Sequence, residues 1–188
     1  MLIEKKINEL FKILKRRNPK PATELKYHNV FTLLVAVVLS AQSTDKGVNK
    51  VTEKLFKIAD TPEKMVKLGE KKIKNLIKNI GLFNTKAKNI FLLSKMLLEK
   101  FDSKIPSNRD ELVKLPGVGR KTANVVLNTF FDKPLIAVDT HLFRLGNRIG
   151  IAKGNNPLEV ETNYMKKIPK WAIKDAHHWL ILHGRYIC

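Results

Sequence analysis

Residues 115–127 of this chain read LPGVGRKTANVVL. Pro116 ends the helix before it, because proline lacks the N–H that a helical hydrogen-bond ladder needs. A glycine turn follows, and a second run with helical character begins directly after it. The sequence therefore predicts a helix-hairpin-helix, with helices over 107–114 and 120–130.

The glycine turn has the features of a phosphate site. Gly117 and Gly119 can take positive φ and let another backbone approach closely. The amides of such a turn point the same way, and the positive end of the following helix adds to them. Contacts from Gly117, Val118, Gly119 and Arg120 would position DNA without reading its sequence. The alternative is a glycine C-cap turn between two packed helices, which is common in helical proteins.

Lys121 lies in the first turn of the predicted second helix. The helix macrodipole disfavours a positive charge there, and the neighbouring Arg120 acts in the same direction. Both effects favour the neutral amine, which is a nucleophile that can form a Schiff base. With 36 basic residues in the chain, the alternative for any one lysine is a solvated surface charge.

Asp139 follows the apolar residues IAV and precedes THLFRLGNR, at a place where a helix N-cap belongs. A carboxylate near Lys121 would also accept a proton or stabilise a cationic sugar. His141 lies one turn into the same helix, beside Leu142 and Phe143. It is interpreted as a structural histidine rather than a catalytic one.

The rest of the chain has helical periodicity nearly everywhere, so the predicted fold class is all-α. Ser107, with Asp110 three residues later, forms an imperfect capping box before the hairpin. The segment KPLIAV, residues 133–138, is the only strand-like one.

The last predicted helix carries apolar residues that need a partner. Trp179, Leu180 and Leu182 are expected to dock on the N-terminal helix. That helix repeats apolar residues every three or four positions. These residues are Leu2, Ile3, Ile7, Leu10, Phe11 and Leu14.

Charge is the strongest feature of the composition. Lys and Arg total 36 against 17 Asp and Glu, which gives a net charge of +19 and a pI of about 10.1. Such an excess indicates a polyanionic partner, usually nucleic acid or an anionic membrane surface. Compositional drift toward Lys, Asn and Ile is the alternative for part of this charge.

Other sequence features limit the functional classes. The longest apolar run, residues 30–41, is too short to span a bilayer, and no secretory signal is visible. These features favour a soluble, cytoplasmic protein. Cys188 is the only cysteine, so no disulfide or zinc knuckle can form within the chain. His177, His178 and His183 have no carboxylate at a spacing that would complete a metal site.

Five stretches resemble endonuclease III, a family of bifunctional DNA glycosylases and abasic-site lyases in the helix-hairpin-helix superfamily. They occur in the family's order along almost the whole chain. They are residues 33–45, 80–90, 115–127, 136–150 and 177–188. The resemblance implies a six-helix barrel and a second helical domain, with duplex DNA in the groove between them. The implied limits are 22–133 for the barrel, and 1–21 with 134–188 for the second domain.

The resemblance also implies the reaction. An oxidised pyrimidine is flipped out of the duplex, Lys121 attacks C1′ and displaces the base, and Asp139 assists. β-Elimination from the Schiff base then nicks the strand 3′ to the lesion. Gln42 and Leu82 would fill the space left by the flipped nucleotide. From the residues alone, Leu82 is equally a hydrophobic staple, and Gln42 a helix cap.

The implied partner is double-stranded DNA with damaged pyrimidines or abasic sites. The protein would bind it as a monomer at the nucleoid, and no membrane partner is implied. The family's second domain closes on a [4Fe–4S] cluster held by four cysteines, of which Cys188 matches the first. Such a cluster needs four thiolates. The chain as given is therefore expected to hold none, either as a fragment or because its parent is truncated.

Two alternatives differ in their chemistry. Adenine- and thymine-mismatch glycosylases of the same superfamily lack a lysine at the position of Lys121 and do not depend on a Schiff base. A non-catalytic DNA-binding module would use the hairpin alone. The pair Lys121 and Asp139 argues against that module, because phosphate binding needs neither residue.

Overall fold

A computed structural model describes the backbone of residues 2–188 and the side chains from Glu4 onward. Within that range the secondary structure is helical, without a strand, so the predicted all-α class is confirmed. The helices are α1 Leu2–Arg17, α2 Val30–Ser40, α3 Asp45–Ile58, α4 Pro62–Leu68, α5 Glu70–Ile77, α6 Phe83–Phe101, α7 Arg109–Leu112, α8 Arg120–Thr129, α9 Thr140–Ile149, α10 Pro157–Lys167 and α11 Ile173–Tyr186.

The strand-like segment 133–138 is not part of a sheet. It is irregular, and no other described residue pairs with it as a strand. Pro134 removes a backbone donor from it, while Ile136 and Val138 are buried in a core formed with helices. The apolar residues that gave a strand-like pattern are therefore explained by burial of an irregular connection.

The chain divides into two compact units, each described by itself below. The hairpin unit is Glu24–Phe131 and contains α2 to α8. The terminal unit comprises the residues before Glu24 together with Asp132–Cys188, and contains α1 and α9 to α11. That each unit is an independently folding domain, with the limits expected from the sequence, stays a prediction.

The core of the hairpin unit is built around α2. Every residue of Phe31–Leu39 is buried, so this helix is covered on all sides by its neighbours. Its start is fixed by Asn29, whose side chain accepts the Thr32 N–H at 2.8 Å, while the Thr32 hydroxyl accepts the Asn29 N–H at 2.9 Å. This reciprocal capping box satisfies two amides that a helix start leaves open. In the part of the chain that the structure describes, no helix is long and apolar enough to cross a membrane.

The core of the terminal unit joins α1 to α11, as the sequence predicts. The rings of Phe11 and Trp179 lie 6.3 Å apart, and Leu180 is buried beside them. The Trp179 indole N–H donates to the carbonyl of Asn18 at 2.8 Å. Docking is thus confirmed for Trp179 and Leu180, whereas Leu182 is only half-buried. The side chains of Leu2 and Ile3 lie outside the described residues.

Candidate functional site

The first arm of the hairpin is shorter than predicted, because α7 covers only Arg109–Leu112. The predicted capping box of Ser107 and Asp110 is wrong, and the cap lies one residue later. The Asn108 side chain accepts the Glu111 N–H at 2.9 Å, and its amide donates to the Glu111 carboxylate at 2.5 Å. Asparagine is among the strongest N-caps, and here its side chain bonds both the backbone and the carboxylate of Glu111.

The turn of the hairpin depends on Gly117. Its φ is +78°, the left-handed region that glycine adopts without a steric cost. A Cβ there would lie 2.9 Å from the side-chain nitrogen of Asn89 on α6. Val118 closes the turn, since its N–H donates to the Leu115 carbonyl at 3.0 Å and its side chain is buried. Val118 therefore shapes the turn, and its amide is already used within it.

Gly119 does not use the positive φ that a glycine can take. Its φ is −90°, and it is the N-cap of α8. No side chain caps this helix, and a Cβ on Gly119 would meet no atom within 4 Å. The first turn of α8 is thus approachable by another molecule, with amides that point outward at the positive end of the helix.

Lys121 is the second residue of α8 and is exposed, as is Arg120 before it. The first turn of this helix contains no acidic residue. Among the described residues, no carboxylate forms an ion pair with the Lys121 ammonium. The prediction that Lys121 lies in the first helical turn is confirmed, and its amine is accessible from solvent.

Two exposed loops in the hairpin unit share an uncommon backbone conformation. Gln42 has a φ of 53° and Leu82 a φ of 56°, both in the left-handed region. Such values are rare for residues other than glycine, and they concentrate at functional sites. A Cβ on Gly81 would lie 3.5 Å from the Gln42 carbonyl oxygen, so the two loops are in contact.

The Gln42 and Leu82 side chains are exposed on these two loops. Leu82 is 57% exposed, which excludes a packed hydrophobic staple. The residue that caps the end of α2 is Ala41, not Gln42. The Gln42 side chain is exposed and makes no hydrogen bond to the residues that the structure describes. Both side chains are free to contact another molecule.

Sequence reasoning missed a buried lysine beside these loops. Lys86 of α6 is only 4% exposed, and its ammonium donates to the Ser43 hydroxyl at 2.8 Å. Burial lowers the pKa of Lys86. The spacing of Lys86 from Ile90 and Leu93 places it on the buried face of α6, and this pattern was available in the sequence.

In the terminal unit, the predicted N-cap role of Asp139 is confirmed. Its Oδ1 accepts the Leu142 N–H at 2.8 Å, and the residue is half-buried. The hydroxyl of the buried Tyr164 donates to the Leu142 carbonyl at 3.0 Å. Burial, and to a lesser degree the charge of Asp139, raise the pKa of Tyr164. A tyrosine that stays neutral therefore supports the helix turn that Asp139 caps.

His141 packs against α11, where a Cβ on Gly184 would lie 3.1 Å from the His141 Cβ. This close packing is compatible with the structural interpretation of the histidine.

Cys188 is half-buried and is held by two arginines. Arg144 donates to its carbonyl oxygen at 2.9 Å, and Arg148 donates to its sulfur at 3.5 Å. A [4Fe–4S] cluster needs four thiolates, whereas this sequence contains one cysteine. From Glu4 onward, no three His, Cys, Asp or Glu residues are grouped as metal ligands would be. The residues of this chain do not fit the cluster by themselves.

Three comparisons agree on the relatives of this chain. The family model described as HhH-GPD superfamily base excision DNA repair protein matches residues 35–170. Endonuclease III of Rickettsia conorii is 57% identical over 182 residues, covering 97% of this chain and 87% of the relative. A solved non-covalent endonuclease III–DNA complex is 46% identical, with a TM-score of 0.93 over 100% of this chain and 88% of the solved one.

A second solved structure is described as a trapped endonuclease III–DNA covalent intermediate. It is 45% identical, with a TM-score of 0.92 over 99% of this chain and 88% of the solved one. Identity of this level along nearly the whole chain, together with the matching hairpin, shows the family. The chain belongs to the HhH-GPD superfamily of base excision DNA repair proteins and, within it, to the endonuclease III family of DNA glycosylases.

Proposed function

We propose that this DNA glycosylase removes oxidised pyrimidines from duplex DNA and also cleaves the abasic product as a lyase, with Lys121 as the nucleophile. One observation carries the proposal. Lys121 is exposed in the uncapped first turn of α8, directly after the hairpin and without an acidic neighbour in that turn. A relative of this chain has been trapped as a covalent intermediate with DNA, which supports a covalent route.

The reaction begins with attack of the neutral Lys121 amine on C1′ of the damaged nucleotide. The bond from C1′ to the base breaks, and the base leaves with a proton. Opening of the sugar ring then gives a Schiff base between C1′ and the lysine nitrogen. Removal of a proton from C2′ drives β-elimination, which breaks the bond to the 3′ phosphate. Water finally hydrolyses the Schiff base and releases the lysine.

Asp139 is the proposed proton acceptor and stabiliser of the cationic sugar. Its Oδ1 is oriented by the Leu142 N–H. A carboxylate fixed by a backbone hydrogen bond loses little side-chain freedom when it acts. The N-cap role and the proposed catalytic role are therefore compatible in one side chain.

The hairpin is the proposed anchor for the DNA backbone. Gly119 leaves room for a phosphate at the start of α8, and Arg120 adds a cation beside it. Helix N-termini with open amides bind phosphates in this way. We propose that Gln42 and Leu82 enter the duplex and fill the gap left by the extruded nucleotide. The protein would act as a monomer on DNA, at the nucleoid.

Borohydride trapping tests the covalent step. Sodium borohydride should reduce the Schiff base on duplex DNA with an abasic site and give a stable adduct with the unmodified protein. Lys121→Gln should give none. Lys114→Gln is the matched control, since Lys114 is an exposed lysine of the same hairpin, and it should keep the adduct. A normal adduct yield with Lys121→Gln would overturn the assignment.

A further inference from the structure

Lys86 makes two contacts that join two loops of the hairpin unit. Its backbone N–H donates to the Leu82 carbonyl at 3.0 Å. Its side-chain ammonium donates to the hydroxyl of Ser43 at 2.8 Å. Ser43 directly follows Gln42 in the chain. One residue of α6 is thus tied to both loops that present the exposed Gln42 and Leu82 side chains.

Stability alone does not explain a lysine at this position. Lys86 is 4% exposed, and the described residues place no carboxylate in an ion pair with it. A buried ammonium without a carboxylate loses hydration that one hydroxyl acceptor does not replace. A methionine would fill a similar volume without that penalty. A lysine at this position therefore carries a cost to folding.

The loops themselves need external support. Gln42 and Leu82 both hold left-handed backbone conformations, with φ of 53° and 56°. For residues other than glycine, such conformations persist only where the surrounding structure enforces them. The Ser43 backbone N–H donates to the Ser40 carbonyl at 3.1 Å, and in the described part of the chain the Ser43 side chain has one hydrogen bond, from Lys86. The ammonium is thus the anchor that ties this loop to α6.

We propose that Lys86 is a positioning residue, which holds the Gln42 loop against the Leu82 loop so that both side chains enter the duplex together. This inference rests on the proposed function, because it takes Gln42 and Leu82 as the residues that fill the gap. Lys86 does not contact the DNA itself, since almost none of its surface is exposed. It acts through Ser43.

The first measurement separates positioning from folding. Lys86→Met removes the ammonium and keeps the length of the side chain. Since burial lowers the pKa of Lys86, the charged amine opposes folding at neutral pH. The Tm of Lys86→Met should therefore not fall below that of the unmodified protein. Lys88→Met, at an exposed lysine of the same helix, is the matched control. Ser43→Ala provides a second way to remove the same hydrogen bond.

The second measurement is a double-mutant cycle on DNA binding. The probe is a duplex with a tetrahydrofuran abasic analogue, compared with the same duplex undamaged. Lys86→Met, Ser43→Ala and Gln42→Ala should each lower the preference for the abasic duplex, by about tenfold for coupled residues. Lys86→Met added to Ser43→Ala should cause no further loss, because Lys86 acts through the Ser43 hydroxyl. Lys88→Met should leave the preference unchanged.

The outcomes are distinct. Additive losses in the double variant, or equal losses on both duplexes, would overturn the positioning role and show a general effect on the fold. Unchanged abasic preference in Lys86→Met or Ser43→Ala would also overturn it. If the unmodified protein has no abasic preference and gives no borohydride adduct, the proposed function fails instead. If the unmodified protein prefers the abasic duplex and the losses in the double variant are not additive, both the proposed function and the positioning role are supported.

Discussion

The Asp139 carboxylate accepts the backbone N–H of Leu142 at 2.8 Å, so one side chain both caps α9 and offers an oriented carboxylate. The carbonyl of the same Leu142 accepts the hydroxyl of the buried Tyr164 at 3.0 Å. Two polar groups from different parts of the terminal unit therefore fix this helix turn. Substitutions of Asp139 can separate its structural role as a helix cap from its proposed chemical role.

Asp139→Asn should keep the fold and lose most turnover. Asparagine caps helices as well as aspartate does, but it cannot accept a proton. We expect base release to fall by about a hundredfold or more, the usual range for a lost general base, with little change in Tm or in abasic-site affinity. Asp139→Ala is the comparison, because it should also lose about 1 kcal/mol of stability with the cap. Full turnover in Asp139→Asn would contradict the catalytic role.

Tyr164 should make the stability depend on pH in the alkaline range. Burial raises the pKa of its phenol, so the folded state favours the neutral form. The contribution of Tyr164 to the free energy of unfolding is complete below the ordinary tyrosine pKa, about 10. It is lost as the pH rises above that value, because the tyrosine then ionises in the unfolded state. We therefore expect the difference in free energy of unfolding between the wild type and Tyr164→Phe to shrink as the pH rises. Urea denaturation at neutral and alkaline pH measures this difference. A difference that grows would refute the assignment.

The two hairpin glycines should respond differently to alanine. Gly117→Ala should destabilise the fold, because the residue has a positive φ and its Cβ would be 2.9 Å from Asn89. Gly119→Ala should leave the Tm nearly unchanged, since its Cβ meets no protein atom within 4 Å. Its effect should appear in DNA binding, with damaged and undamaged duplexes weakened by similar factors. Unweakened binding by Gly119→Ala would exclude a close approach of the DNA backbone there.

The end of α11 should exchange its amide hydrogens before the buried helix α2. Tyr186 and Ile187 are each 67% exposed, and the Arg144 guanidinium bonds the Gly184 carbonyl at 2.7 Å. Arg144→Met should therefore speed exchange over 184–188 and leave Phe31–Leu39 protected. Hydrogen exchange followed by mass spectrometry measures this. Uniform protection to the last residue would show that packing alone holds the segment.

A polypeptide of this sequence should bind no [4Fe–4S] cluster. Cys188 supplies at most one of the four thiolates that such a cluster needs. Iron and sulfide analysis after anaerobic reconstitution should find neither in stoichiometric amount, and Cys188→Ser should behave in the same way. Stoichiometric iron and sulfide in the unmodified protein, lost in Cys188→Ser, would contradict the expectation.

Some errors of the sequence-based predictions have local causes. The hairpin's first helix was predicted from Ser107, yet Asn108 is the cap, because both residues are good caps and only the backbone conformation selects between them. Gly117 and Gly119 were both expected to be able to take positive φ, and the turn uses that conformation at Gly117 alone. A glycine in a sequence shows which conformations are allowed and not which one is adopted.

Residue types at short spacing were enough to predict the all-α class, the hairpin before α8 and the capping role of Asp139. The order of such stretches along the chain indicated the family. Only the tertiary structure showed that Lys86 is buried against Ser43, that Leu82 is exposed and that Gly119 faces open space. These properties depend on which distant segments meet. Hydrophobic periodicity marks a face for burial, but packing decides which polar group that face encloses and which apolar side chain stays outside.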